Sequence, residues 1–237
     1  MTDLKEIRAY YQGKVEPIYR AVFGTTLHLA MFEKAGESRP EAQRRTKEFL
    51  SGHLPPLPAS ATIFDLGSGY GDMARFLAGR YGCRVVGLNL VSSQNRLSQS
   101  LSRAAGLAVW AVEADFARLP LASACAEIVW SQEALLHAVK RERVIREAAR
   151  LLRPGGSFIF TDLLQTGPMA AEESRLIRER VKVKPFDSFA SYRRYLAGAG
   201  LAVVEVVDLS RYVAGSYANH IDEIEKHREI LVEAVGP

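Results

Sequence analysis

The stretch Asp65-Leu66-Gly67-Ser68-Gly69-Tyr70-Gly71-Asp72 constrains this chain more than any other, because three glycines stand at alternate positions where a short apolar run gives way to a helical pattern. Glycine tolerates the left-handed backbone of so tight a turn and leaves bare main chain for a ligand to approach. Such a turn belongs to an open α/β sheet, where ligands bind at the carboxyl ends of the strands.

The flanking sequence agrees. Short apolar runs over 61–66, 84–90, 108–113 and 126–131 alternate with helical patterns over 70–80 and 92–105. A helix over 140–152 ends at Pro154-Gly155-Gly156, and a strand over 157–162 follows. Strands apolar on both faces call for a mostly parallel sheet covered by helices, so the expected fold is α/β, a Rossmann-like doubly wound sheet.

Residues 1–50 have helical spacing (Ile7, Tyr10, Tyr11, then Phe23, Leu27, Ala30) and read as a cap over the sheet. Pro55, Pro56 and Pro58 cannot sit inside a helix and mark a linker. After Asp162 a charged, Pro-containing stretch predicts a lid, then a short helix over 188–197 stopped by Gly198 and Gly200. A strand over 201–209 and a terminal helix over 217–235 complete the reading. The organisation is one domain, 1–237: cap and linker over 1–58, core over 59–162, lid over 163–200, and a C-terminal strand and helix over 201–237.

Composition excludes several classes. At 237 residues, 48% of them apolar, the chain can bury one substantial core. Cys83 and Cys125 lie in apolar runs without metal-ligand spacing, so no metal site is expected. The charged start carries no apolar signal region, and no apolar stretch approaches the roughly 18 residues of a membrane span; a cytoplasmic protein is expected. The formal charge of +4 is spread among acids, which argues against a nucleic-acid partner. The densest basic stretch, 175–184, reads as a solvated helix face.

Spacing then bears on the ligand of the turn. A dinucleotide fingerprint needs a third glycine where this chain has Asp72, and a carboxylate there is a poor neighbour for a pyrophosphate. Asp65, two residues ahead of Gly67, instead suits a cofactor carrying sulfonium and ammonium groups. Asn89 stands at the end of the second strand, where Rossmann folds place a ribose-binding acid, and its amide can also bond ribose hydroxyls; helix capping is the competing role. Asp115 and Phe116 follow the third strand, where an acid can accept from an adenine amino group and an aromatic can lie on the purine, although Asp115 alone is also an ordinary turn residue.

These pieces together resemble the class I S-adenosylmethionine-dependent methyltransferases, and the runs DLGSGYGDMARFLA, YGCRVVGLNL followed by SQN, WSQEALLHA and EAARLLRPGGSFIFTDLLQ resemble the sarcosine/dimethylglycine N-methyltransferases and related small-molecule enzymes. Tyr10-Tyr11, Tyr19, Phe23-Gly24, His28 and the later YRRYLAGAGL and DLSRY extend the likeness. The resemblance implies that Asp65, Gly67, Ser68, Gly69 and Gly71 line the methionine end of S-adenosyl-L-methionine. It places Asn89 and Leu90 at the ribose, Asp115 and Phe116 at the adenine and Gln132 after the fourth strand, with Gln94 also binding the cofactor. Tyr10, Tyr19 and His28 are assigned to the cap, with His28, Gln132 and His137 facing the acceptor. S-adenosylhomocysteine would be the product. Two departures stand out: Asp162-Leu163-Leu164 replaces the family's Asp-Pro-Met phrase, and the family's further strand after the last helix is not in this sequence.

Methyl transfer is a one-step displacement, so the protein must chiefly align the reactants and exclude water. His137 is the candidate to bond the acceptor or take a proton, against a purely structural role. Glu133 can attract a cationic amine or serve as an exposed helix-start acid. Arg175, Arg178 and Arg180 can meet a substrate carboxylate or face solvent. Phe186, Phe189, Tyr192 and Tyr195 can line a larger apolar pocket or pack in the core, and the first outcome favours a natural-product acceptor. The leading expectation is methylation of a small amine, with O- or C-methylation of a secondary metabolite second. A NAD(P)-dependent oxidoreductase is disfavoured by Asp72, and a non-catalytic binding module by the lack of a basic stripe. A homodimer is left open.

Overall fold

In the computed structural model, residues 4–12, 16, 20, 22–34, 36–181 and 186–235 are described. Helices α1 (Leu4–Gln12) and α2 (Arg39–Ser51) precede the sheet, and an extended strap over 25–33 runs between them. Then come β1 (Thr62–Leu66), α3 (Asp72–Tyr81), β2 (Arg84–Asn89), α4 (Ser92–Ala104), β3 (Val109–Glu113), β4 (Ala126–Gln132), a 3-10 turn (Leu135–His137), α5 (Arg141–Leu151) and β5 (Leu152–Thr161). The lid carries α6 (Ala171–Val181) and α7 (Phe189–Gly198), and α8 (Val213–Lys226) and α9 (Arg228–Val235) follow.

The five strands form one parallel sheet in the order β3-β2-β1-β4-β5. Side chains alternate across each strand, and the core divides accordingly. Phe64, Leu66, Leu88 and Val129 pack on one face against Val144, Ile145, Ala148 and Leu151 of α5. Ile63, Val85, Ile128 and Trp130 pack on the other against Met73, Ala74 and Leu77 of α3. This is the Rossmann-like sheet the alternation predicts, with a helical cap before it and a helical lid after the fifth strand.

Three local expectations change. Pro154-Gly155-Gly156 lies inside β5, because the pairing jumps from Ala126↔Leu152 to Ile128↔Ser157 and the extra residues bulge out of the ladder. The terminal helix is two, meeting at His227. Residues 201–209, predicted as a strand, are extended but join no ladder, and Val204 is 96% exposed. A valine-rich run suits a pleated conformation, but a strand also needs a neighbour for its backbone groups, and among the described residues none pairs there.

The cap is held by side chains reaching its backbone. Three consecutive strap amides donate to three different elements: Leu29 N to Glu133 Oε2, Ala30 N to Ser216 Oγ and Met31 N to Thr46 Oγ1, each at 2.9 Å. An extended strap has no ladder of its own, so these acceptors satisfy donors that would otherwise be buried unpaired.

Candidate active site

Strand order reverses between β1 and β4, which opens a crevice at their carboxyl ends. The glycine turn lies on one lip, and Gln132 and Glu133 lie on the other. The turn is seated on β2 by Gly67 N donating to Leu88 O at 2.7 Å. Gly67 and Gly71 have φ of 79° and 72°. A Cβ at Gly67 would stand 2.3 Å from Ala134 Cβ, and one at Gly71 2.0 Å from Ser98 Oγ, so packing itself demands glycine at both positions. Gly69 differs, since a Cβ there meets only Leu27 Cδ1 at 3.9 Å.

Asp65 is 3% exposed and forms no hydrogen bond or ion pair with a described residue. Burial pushes its carboxyl up to about 7. A buried acid without a partner is costly to ionise, and an ammonium group delivered beside it removes that cost. Ser68 Oγ and Gln132 Oε1 are likewise buried without a partner among the described residues. Together the acid, the hydroxyl and the amide fit the methionine end of S-adenosylmethionine.

A second cavity, of about 320 Å³, opens where β2 and β3 end. Leu90, Ala114, Asp115 and Glu113 line it from the sheet side, and Leu4, Lys5 and Arg8 from α1. Its size suits a nucleoside. Asn89 Nδ2 donates to Gln94 Oε1 at 2.9 Å, which orients both amides. Asp115 Oδ1 accepts from Ala117 N at 2.9 Å, so one carboxyl oxygen makes the turn. Phe116 belongs to the buried cluster that includes Leu66 and Leu88, and its Cε1 would lie 3.6 Å from a Cβ at Gly67, at the edge of the glycine turn. Arg8 pairs with Glu113 at 2.7 Å and ties α1 to the cavity rim. Tyr10 lies in α1 with its side chain outside the described residues, and Tyr19 lies outside them altogether.

Beneath the strap the crevice is polar and tight. A cavity of about 10 Å³ is lined by Thr26, His28, Lys47, Asp72 and Gln132, among others. Asp72 accepts from Thr26 Oγ1 at 2.7 Å and Lys47 Nζ at 3.0 Å, so the acid at the third glycine position anchors the strap. Burial lowers His28 to about 4, with Lys47 acting in the same direction and Asp72 against it. Glu133 is not an exposed helix-start acid: it follows β4 with φ of 47°, and burial pushes its carboxyl up to about 7. His137 Nε2 is 2.9 Å from Tyr11 OH, and its Nδ1 is buried without a partner among the described residues. Burial and then the Arg141 charge lower His137 to about 4, so the ring is neutral at pH 7.

Beneath the lid, Asp162 accepts from Tyr192 OH and from Leu136 N, the latter at 3.2 Å. Arg141 donates to Asp187 Oδ2 at 2.9 Å and to Leu136 O at 2.8 Å. Phe158, Phe160 and Tyr192 stack successively in the core, and Tyr195 meets Tyr192 edge-on. Phe189 faces outwards, 40% exposed. Arg175 pairs with Glu172 on the surface, and the side chains of Arg178 and Arg180 lie outside the described residues. Sequence reasoning missed the Tyr11–His137 contact, the Lys47–Asp72 pair and the buried Arg39, because each joins residues distant in the chain and no local spacing marks them.

Known proteins share this arrangement. Residues 64–160 match the family model described as a methyltransferase domain. The chain is 32% identical to the glycine/sarcosine/dimethylglycine N-methyltransferase of Actinopolyspora halophila over 97% of its own length, but spans only 41% of that protein. It is 30% identical to the sarcosine/dimethylglycine N-methyltransferase of Halorhodospira halochloris, covering 94% of this chain and 81% of the relative. The 27-O-demethylrifamycin SV methyltransferase of Amycolatopsis mediterranei is 32% identical, over 90% and 80% of the two chains. A crystal structure of a sarcosine dimethylglycine methyltransferase homologue from Galdieria sulphuraria superimposes with a TM-score of 0.89 at 26% identity, over 96% of this chain and 87% of that one. With its parallel sheet, its glycine turn and these relatives, the chain belongs to the class I S-adenosylmethionine-dependent methyltransferases and transfers methyl groups to a small molecule.

Proposed function

We propose that the acceptor is a small polar amine, methylated on nitrogen. The observation that carries this reading is the character of the crevice beneath the strap, tight and lined by His28, Lys47, Asp72 and Gln132, with Tyr192 and Tyr195 packed into the core instead of lining an apolar chamber. A prenyl or polyketide acceptor would need the apolar surface that those rings spend on each other. One observation favours the second reading, O- or C-methylation of a natural-product scaffold: a relative named for a rifamycin is as similar as those named for glycine derivatives.

In this reading Asp65, Gly67, Ser68, Gly69 and Gln132 hold the methionine end of the cofactor. Asn89, Leu90 and Gln94 face the ribose, and Asp115 and Phe116 border the adenine, with Tyr10 and Tyr19 of the cap covering the nucleotide. Bound S-adenosylmethionine supplies an electrophilic methyl group and leaves as S-adenosylhomocysteine. The protein's share is alignment, water exclusion and one proton. An amine enters as an ammonium and must lose that proton before its lone pair can attack; Glu133, pushed up to about 7, is matched to take it near neutral pH. The neutral imidazoles of His28 and His137 can bond the acceptor without repelling a cation.

The test is incubation with labelled S-adenosylmethionine and a panel of glycine derivatives, phenols, and prenyl or polyketide acids, with products identified by mass. Label on the nitrogen of small amines is expected. Label confined to phenols or prenyl acids would establish the second reading instead.

A further inference from the structure

The 3-10 turn Leu135–His137 is short, and its own bonds are His137 N to Ala134 O at 3.1 Å and Ala138 N to Leu135 O at 2.9 Å. Leu136, in its middle, is held by side chains from elsewhere. Its N donates to Asp162 Oδ1 at 3.2 Å, and its O accepts from Arg141 Nη2 at 2.8 Å. Asp162 follows the last residue of β5, and Arg141 opens α5 and is buried. An acid fixes one peptide group of Leu136 and a guanidinium the other, which is the peptide that joins His137.

Both halves of this clamp continue to the same lid helix. Tyr192 OH, on α7, donates to Asp162 Oδ2. Arg141 Nη1 donates to Oδ2 of Asp187, two residues before α7, at 2.9 Å, and Tyr195 OH donates to Asp187 Oδ1 at 3.2 Å. Two separate chains of hydrogen bonds therefore run from the α7 segment to a single residue of the turn. Buried charges are a costly way to hold a turn, since apolar packing would do so with less desolvation. What polar bonds add is direction, and two of them on the groups of one residue orient the backbone from which the next side chain leaves. That side chain is the imidazole whose Nε2 lies 2.9 Å from Tyr11 OH of α1.

We propose that Asp162 and Arg141 are positioning residues that aim the His137 imidazole, and that the α7 segment sets this aim through Tyr192 and Asp187, so that the lid helix governs turnover by way of the turn. This rests on the reading that His137 bonds the acceptor, and it adds to that reading the residues that hold the ring in place. A displacement of a reacting group by about 1 Å costs up to about 100-fold in rate, and the loss of one of the two chains is expected to cost about 10-fold.

The experiment is a double-mutant cycle on the intact enzyme: Tyr192→Phe alone, His137→Ala alone and the two together, assayed with saturating S-adenosylmethionine and the panel member that is methylated fastest. Tyr192→Phe should lower kcat about 10-fold in the otherwise unaltered enzyme, with affinity for S-adenosylhomocysteine unchanged, and by less than about twofold where residue 137 is already alanine. Equal losses in both backgrounds would overturn the role of α7, because a helix that only stabilised the fold would act whatever residue stood at 137. Unchanged turnover in His137→Ala alone would defeat the underlying reading of His137, and the role of α7 with it. Asp187→Asn interrupts the second chain at a partly exposed side chain and replaces Tyr192→Phe in the cycle if that variant does not fold. A second measurement needs no acceptor: the imidazole resonances of enzyme carrying isotope-labelled histidine, with S-adenosylhomocysteine bound. The His137 signal, identified by its loss in His137→Ala, should shift in Tyr192→Phe, while that of His53, which pairs with Glu205, stays in place. A His137 signal that does not move would equally overturn the role of α7.

Discussion

Gly69→Val separates the cofactor from the fold more cleanly than any other change in the turn. Gly67 and Gly71 each lie against protein, so a side chain at either must push Ala134 or Ser98 aside before any ligand is considered. At Gly69 only Leu27 Cδ1 comes near, at 3.9 Å, an ordinary contact. The cost to the fold is therefore mainly backbone strain, because φ at Gly69 is 53° and an L-residue there costs about 1–2 kcal/mol. For a chain of this size that is a fall in Tm of roughly 2–8 °C.

The cost to the cofactor is of another order. Whatever packs on the bare backbone of Gly69 must give up the volume that two methyl groups occupy, and a loss of at least about 100-fold in affinity, close to 3 kcal/mol, is expected. Calorimetric titration with S-adenosylhomocysteine measures that affinity, and a thermal melt on the same sample measures the strain. A folded Gly69→Val protein that binds within about threefold of the unaltered enzyme would refute the claim that the nucleotide rests on this turn. Gly67→Ala is the contrast: its stability should fall further than that of Gly69→Val, since its Cβ would lie 2.3 Å from Ala134 Cβ.

Asp65, held at about 7 by burial, should acquire a lower pKa when an ammonium group docks beside it, so cofactor affinity should weaken as pH falls below about 7, by at most tenfold per unit; Asp65→Asn should flatten that profile in titrations run between about pH 6 and 8. His137→Ala should keep cofactor binding and lower kcat by about 100-fold where the ring bonds the acceptor, and unchanged turnover would remove His137 from the site. His28 and His137 are lowered to about 4, below their value in the unfolded chain. The stability from burying them neutral is thus full above about pH 6.5 and lost as pH falls towards 4, up to about 3 kcal/mol each. Denaturant midpoints across that window should drop; a flat profile would show that the imidazoles are solvated.

The sheet and its glycine turn were legible because each rests on local chemistry. Apolar runs buried on both faces, glycines at alternate positions and an amide closing β2 are all written within a few residues of one another. Where the reading went astray, the deciding neighbour was remote. Val203, Val204, Val206 and Val207 are the β-branched residues a strand favours, yet pairing depends on a second backbone that their composition cannot specify. Arg39 resembles any helix-start arginine in the sequence; Phe23 from before the strap and Asn219 from α8 are what bury it.

The strap connects these separate features into one device. Its amides rest on Glu133, Ser216 and Thr46, and its Thr26 hydroxyl rests on Asp72. At about 1 kcal/mol net per hydrogen bond, lifting it costs roughly 3–4 kcal/mol, so the open form is populated at less than about 1%. A cavity of about 10 Å³ has no room for a substrate while the strap is down, whereas the cavity of about 320 Å³ at β2 and β3 already has room for a nucleoside. The nucleotide can therefore engage first, and displacing Leu27 from above Gly69 then weakens the strap from its own end. Once the strap lifts, Glu133 loses the amide that it accepted from and regains a carboxylate oxygen for a cation. The strap's Leu29 amide thus occupies the carboxylate oxygen that the proposed amine would need, so in that reading the strap must lift before the acceptor binds.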